Sequence, residues 1–397
     1  MASARSILAE AEDSELERQL KILNKPSIKT LHAPWGDIYD CVEFHKQPAF
    51  DHPLLKNHKF LGRDETASTK PHNTLMSLGD GCPKGTVPIR RTTKEDLIRA
   101  KSFSASTTSS HAPGEEHRAG ITLQVVGETF NGASGTLNAW NPTVNPDQFS
   151  SAELALKGGP QEQTSAVKFG WIVSPELYGN NKTRTFAYWT GDGGHKTGCY
   201  NTRCRGFVQV DRAHPPDMTF AETSHFPGSQ VVITVEISLD TLFIANKNFF
   251  GRQMHIRGKY LVYGKELIAQ LVECSSKGIE RETGKWWLIL HPGPIKIGYW
   301  PRKLFPLFNP GAQYVYWGGR VKSGKDGSIP PMGGGVGPGG FSNANGVIGD
   351  LQYYDKNSHV LKPEKIEYTI DCKQYDSHYD NGHHAVYFGG PGGGICT

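Results

Sequence analysis

After residue 120 the chain repeats one motif so often that few folds remain open to it. "ITLQVVG", "AVKFGWIVS", "TFAYWTG", "GFVQV", "VVITVEIS", "KWWLIL", "KIGYW", "AQYVYWGG" and "AVYFGG" are short, aromatic and β-branched, and each is bounded by Gly, Pro, Asn or Asp. Residues of this kind at period two suit a pleated surface with one covered face. Many such segments separated by turn signals predict an antiparallel β-sandwich, and the 46 glycines and 25 prolines supply the turns.

The first hundred residues are different. Ser14 and Glu17 form a capping-box pair ahead of Leu16, Leu20 and Leu23, which predicts a short N-terminal helix ending before Pro26. Beyond it, "DIYDCVEFHKQPAFDHPLLKNHKF" and "GCPKGTVPIRRT" read as extended, proline-punctuated chain. The polar tract 102–120 reads as a linker. The division is therefore a mixed, mostly extended unit over 1–101, a linker over 102–120, and an all-β domain over 121–397. No run reaches the roughly 20 apolar residues a membrane span needs. A net charge of +4 is too mild to point to nucleic acid. The acid-free stretch between Asp240 and Glu266 reads as an inserted hairpin or loop.

Common catalytic signatures are absent: there is no G-x-S-x-G, no H-E-x-x-H and no P-loop. The glycine run "MGGGVGPGGF" reads as a mobile loop over a cleft. His378, Asp380, His383 and His384 read as a surface turn rather than a metal site, so no metal and no cofactor is expected. The aromatics say more. Alternation divides them between a core and a concave face, and Trp171, Tyr188, Trp189, Tyr299, Trp300, Tyr316 and Trp317 are candidates to line a ligand groove. Seven cysteines and the sequon Asn181-Lys182-Thr183 lean toward an oxidising, secretory environment, although "MASARSILAEAEDSELE" has no apolar signal core.

Several longer blocks resemble a known family. "ERQLKILNKPSIKT", "DCVEFHKQPAFDHPLLKNHKF" and "CPKGTVPIRR" are similar to the activation-peptide region of plant neprosins. "FGWIVSPELYGN", "YWTGDGGHKTGCYN", "TGKWWL", "GYWP", "WGG" and "YFGGPG" are similar to the neprosin peptidase domain. The resemblance implies a prodomain ahead of an antiparallel β-sandwich, in a family of secreted glutamic peptidases whose best-known member cleaves after proline. It implies an extracellular or vacuolar location, and disulfides Cys41–Cys82, Cys199–Cys204 and Cys372–Cys396.

It also implies a catalytic glutamate pair, one residue activating water and the other protonating the leaving group. The positions matching that pair are Lys168 and Arg320. Arginine cannot act as a base, and two cations across one cleft repel unless a carboxylate or a ligand intervenes. Glu176, Asp192 and Glu222 are the candidate neutralisers. The family's Met-Gly-Ser-Gly-His-Phe-like loop has Val336 here at the His position. The expectation is a peptidase fold without the peptidase reaction, holding a peptide, glycan or small anionic ligand in its cleft, with its own prodomain as a partner. Two alternatives stay open: new chemistry using Lys168 as base or Schiff-base nucleophile, and a residual prolyl endopeptidase.

Overall fold

In a computed structural model the described residues are 2–56, 76–106, 114–239, 284–337, 339 and 344–396. The basic insertion lies outside them, as does Cys274. Among the described residues no helix is long and apolar enough to cross a membrane.

The N-terminal unit opens with helix α1 (Ala2–Leu23). This helix begins well before the capping box, so Ser14 is an interior residue. The Ala-, Leu- and Glu-rich start has enough intrinsic helix propensity to extend it. Strands β1 (Ser27–His32), β2 (Ile38–Glu43) and β3 (Thr86–Arg90) then form an antiparallel sheet, closed by the Cys41–Cys82 disulfide. Helix α2 (Lys94–Ser106) follows. The linker expected over 102–120 is shorter than its polar composition suggests, since 102–106 finish α2 and the next strand starts at Glu116.

The remaining strands are β4 (Glu116–Leu123), β5 (Gly132–Asn138), β6 (Phe149–Gly158), β7 (Ser165–Val173), β8 (Arg184–Thr190), β9 (Cys199–Tyr200), β10 (Val208–Gln209) and β11 (Val232–Leu239). After these come β12 (Lys285–His291), β13 (Ile295–Pro301), β14 (Tyr314–Lys322), β15 (Gly346–Tyr354), β16 (Val360–Leu361), β17 (Glu367–Ile370), β18 (Asp376–Asp380) and β19 (Ala385–Gly389). They build two antiparallel sheets. One has seven strands in the order β17-β4-β14-β6-β7-β8-β9. The other has nine, in the order β10-β13-β12-β11-β5-β15-β19-β18 with β16 beside β15. A four-residue helix, α3 (Pro175–Tyr178), caps the end of β7.

The two sheets share one core. Leu154, Leu156, Phe169, Trp171, Trp189 and Trp317 from the seven-stranded sheet meet Leu137, Val235, Ile237, Leu288 and Val386 from the other. The indoles of Trp171 and Trp317 cross the interface and donate to the Asn138 and Ser134 carbonyls of β5, at 2.7 and 3.1 Å. A second apolar cluster seats the N-terminal unit, through Val42, Phe44, Val87 and Ile89, on Val208, Trp287, Ile289 and Tyr299. Buried charge reinforces this contact. Arg184 of β8 pairs with Asp37, which also accepts from Arg90 at 3.1 Å.

Candidate functional site

Alternation along β6 sends Ala152, Leu154 and Leu156 into the core, and therefore sends Ser151, Glu153, Ala155 and Lys157 to the opposite face of the seven-stranded sheet. The register brings neighbours onto that face. Lys168 of β7 lies opposite Ala155, Arg320 of β14 lies opposite Ser151, and Lys168 is also paired with Tyr188 of β8. The two residues singled out in the sequence thus share one sheet face.

What joins them is Glu153, whose side chain has no exposed surface. One carboxylate oxygen is 3.2 Å from the Lys168 ammonium, and the other accepts from Arg320 Nε at 3.0 Å. Arg320 donates a second bond to Glu116 of β4 at 2.8 Å, reaches the Tyr200 hydroxyl at 3.4 Å, and lies over the Phe149 ring. Lys322, one turn of the pleat further on, pairs with Glu176. None of the neutralisers considered from sequence fills the central place. Glu176 serves Lys322, Asp192 caps its own turn through Thr197, and Glu222 is exposed.

The electrostatics follow from this shared carboxylate. Burial would raise the Glu153 pKa, but Arg320, Lys168 and Lys157 outweigh burial and hold it at about 2. Glu116 is likewise held below the usual glutamate range, burial being overcome by Arg320 and Lys168. Burial and Arg320 press Lys168 downward, against the pull of Glu153 and Glu116. Held this low, Glu153 keeps no proton to donate near pH 4, so it does not suit the general-acid step of peptide hydrolysis.

The glycines of "WGG" have separate uses. A Cβ on Gly318 would stand 2.6 Å from the Tyr316 hydroxyl, so glycine there lets Tyr316 lie flat along the sheet and donate to the Gly319 carbonyl at 2.6 Å. Gly319 faces the core, where Met332 occupies the space a side chain would take. The described start of the glycine run lies away from the polar face, and residues 338, 340 and 341 fall outside the described residues. Gly333 and Gly334 pack against Gly346 and Ala344, which explains their lack of side chains as close backbone approach.

Among the groove candidates, Tyr188 and Tyr316 lie on the polar face. Trp171, Trp189, Trp300 and Trp317 belong to the core between the sheets, and Tyr299 lies under the N-terminal unit. These five are corrected from ligand-lining to structural residues, because their large apolar area is covered by the partner sheet or by the N-terminal unit. The disulfides Cys199–Cys204 and Cys372–Cys396 form along with Cys41–Cys82. His383 pairs with Asp380 in an exposed turn. Among the described residues one group of metal-ligating type converges, His117 with Cys372 and Cys396, and its cysteines are bonded to each other.

Glu153, Glu116, Lys157 and Tyr200 escaped the sequence reading. Strict alternation in "SSAELALKG" carried the signal for the first and third, since Ser151, Glu153 and Lys157 fall on one face once the segment is read as a strand.

Two packed antiparallel sheets, a separate N-terminal unit on their flank and an ion-paired polar face define a β-sandwich protein with an accessory N-terminal unit. The family model for neprosin matches residues 146–391 and that for the neprosin activation peptide matches residues 30–125. The chain belongs to the neprosin family. Among solved structures it is similar to scytalido-glutamic peptidase with a peptide-based transition state analog and with a transition state analog inhibitor. Each is 9% identical, with a TM-score of 0.35, over 69% of this chain and 98% of the other.

Proposed function

We propose that this neprosin-family chain keeps the peptidase-type scaffold without the family's carboxyl-pair hydrolysis, and uses the polar face of the seven-stranded sheet to hold a peptide, glycan or small anionic ligand. One observation carries the reading. Glu153, the buried carboxylate between the two positions matching the family's glutamates, is committed to Lys168 and Arg320 and stays ionised down to about pH 2. Loss of a general acid or base costs about 10²–10⁴ in rate, and here both matching positions carry cations. The half-exposed Tyr188, Lys157 and Arg118 supply ring and charge at the rim. The activation-peptide match supports the chain's own N-terminal unit as a partner of the sandwich. The three disulfides and the exposed Asn181 of the sequon support a secreted or vacuolar glycoprotein.

The test is a proline-containing peptide incubated with the full chain at acidic pH, beside Lys168→Glu/Arg320→Glu. The expected result is no cleavage by the native chain and measurable peptide binding by calorimetry. Turnover by the native chain at rates near those of an active glutamic peptidase would sink the proposal.

A further inference from the structure

His117 sits on the inner side of β4. The alternation that turns Glu116 and Arg118 outward sends it inward with Ala119, Ile121 and Leu123. It is only 4% exposed, and among the described residues its imidazole makes no hydrogen bond and no ion pair. A buried imidazole without a partner costs free energy unless something else uses its nitrogens. The C-terminal segment brings two sulfurs to it. β17 ends at Ile370 and Cys372 follows it into the core, while the tail returns past Ser328, bridged there by Ile395, and delivers Cys396. A ring nitrogen of His117 and both Sγ atoms lie within 4.8 Å of one another. We propose that His117, Cys372 and Cys396 form a thiol-gated site for a soft divalent cation of the zinc type, closed as a disulfide when oxidised and as a metal cross-link when reduced.

Three features suit the place to that ion. The donor set is two sulfurs and one imidazole nitrogen, the set zinc prefers. Zinc–sulfur bonds of about 2.3 Å and zinc–nitrogen bonds of about 2.0 Å put tetrahedral ligand atoms roughly 3.5–4 Å apart, so side-chain rotation alone brings these three into range. A fourth donor stands ready. Gln374 donates through Nε2 to the Ile395 carbonyl at 2.8 Å, which holds its Oε1 2.9 Å from Cys372 Sγ. Charge is also balanced, since two thiolates cancel the ion and the adjacent Arg118 and Asp371 are paired with each other. The other disulfides lack this arrangement: among the described residues no His, Asp or Glu converges on Cys41–Cys82 or Cys199–Cys204 in the same way.

The gate needs a reductant, for which a dithiol serves. One of its thiolates attacks the partly exposed Cys396 sulfur, and Cys372 leaves as a thiolate. The second thiolate then displaces Cys396, and the reductant departs as a cyclic disulfide. Two electrons pass to the protein sulfurs. The two protons of the dithiol go to solvent as both cysteines bind the cation in their thiolate form. The site lies on the core side of the seven-stranded sheet and does not depend on the reading of the polar face.

The full chain is reduced with a water-soluble phosphine, which replaces the dithiol because it competes less for metal, and is alkylated with iodoacetamide with and without equimolar zinc. Each cysteine is followed by peptide mapping. Zinc is expected to slow alkylation of Cys372 and Cys396 together by at least about tenfold, and to leave Cys199, Cys204 and Cys274 at their metal-free rates. His117→Gln is expected to weaken that protection at least about tenfold. Zinc should also raise the Tm of the reduced chain and leave that of the oxidised chain unchanged. The mapping and the melting use the native sequence, so neither depends on a variant folding. Equal alkylation with and without zinc overturns the proposal, as does equal protection of all the thiols, which would mean adventitious thiol binding only. A reduced chain that loses its fold and does not recover it with zinc overturns it as well, and so does full protection in a folded His117→Gln variant.

Discussion

Glu153 decides how the polar face behaves. A buried carboxylate shared by two cations contributes little net stability compared with an apolar replacement, but removing it from one side leaves charge stranded. Glu153→Gln keeps the shape and removes the charge, so Lys168 and Arg320 lose their common counter-ion while Arg320 retains Glu116. A loss of about 3–5 kcal/mol in unfolding free energy is expected from chemical denaturation. A change under about 1 kcal/mol would show that the ion pairs are not coupled as the geometry indicates. The cations at 168 and 320 were legible in the sequence because they stand inside blocks that match a family pattern. Their counter-ion was not, because nothing in a linear chain says which of its acids will be carried between them.

At the level of elements, that difficulty traces to β6. "FSSAELALKG" is rich in Ala, Leu, Glu and Lys, residues whose intrinsic preference is helical, and it lacks the aromatic and β-branched signature that announces β7, β8, β12 and β14. Tertiary context makes it a central strand, paired with β14 on one side and β7 on the other. The glycine-rich β5 was hidden for a related reason: it packs through its backbone, and a Cβ at Gly135 would meet Ile348 at 2.7 Å. The aromatic strands were legible, but period two does not say which face a partner will cover, so five core aromatics looked like candidates for a groove. The N-terminal unit depends on a similar long-range pairing, between Asp37 and Arg184, 147 residues apart. Arg184 is almost fully buried, and Asp37 is its carboxylate partner. Asp37→Ala is expected to cost about 3–5 kcal/mol, and to speed proteolytic cutting within 27–90 relative to cutting of the sandwich. Equal cutting in native and variant chains would count against the latch.

For the whole molecule, these sites make stability depend on pH in a direction that can be worked out. The pKa values of Glu153 and Asp96 in the folded chain are each about 2, the first through Arg320, Lys168 and Lys157 and the second through Arg90 and Arg203, in both cases against the upward push of burial. Asp37 and Glu116 are lowered in the same way. Unfolded carboxyls titrate near 4. Between pH 4 and pH 2 the unfolded chain therefore binds more protons than the folded one, and acidification shifts the balance toward unfolding. The stabilisation from Glu153 and Asp96 is fully present above about pH 5 and is lost progressively toward pH 2, and Asp37 and Glu116 act in the same direction. Asp217 works in the opposite sense. Burial, helped by the neighbouring Asp37, raises its pKa, so the folded chain takes up that proton more readily and recovers part of the loss. Because Asp37 and Asp96 pair with Arg184 and Arg203 at the contact between the N-terminal unit and the sandwich, and Glu153 and Glu116 lie on the polar face, both regions should weaken as the pH falls. Thermal melting followed from pH 6 to pH 2 is expected to show Tm falling most steeply below about pH 4. Glu153→Gln should flatten that fall, since the variant has already lost the group that titrates. A variant whose Tm falls as steeply as that of the native chain would mean that acid sensitivity arises elsewhere than in the shared carboxylate.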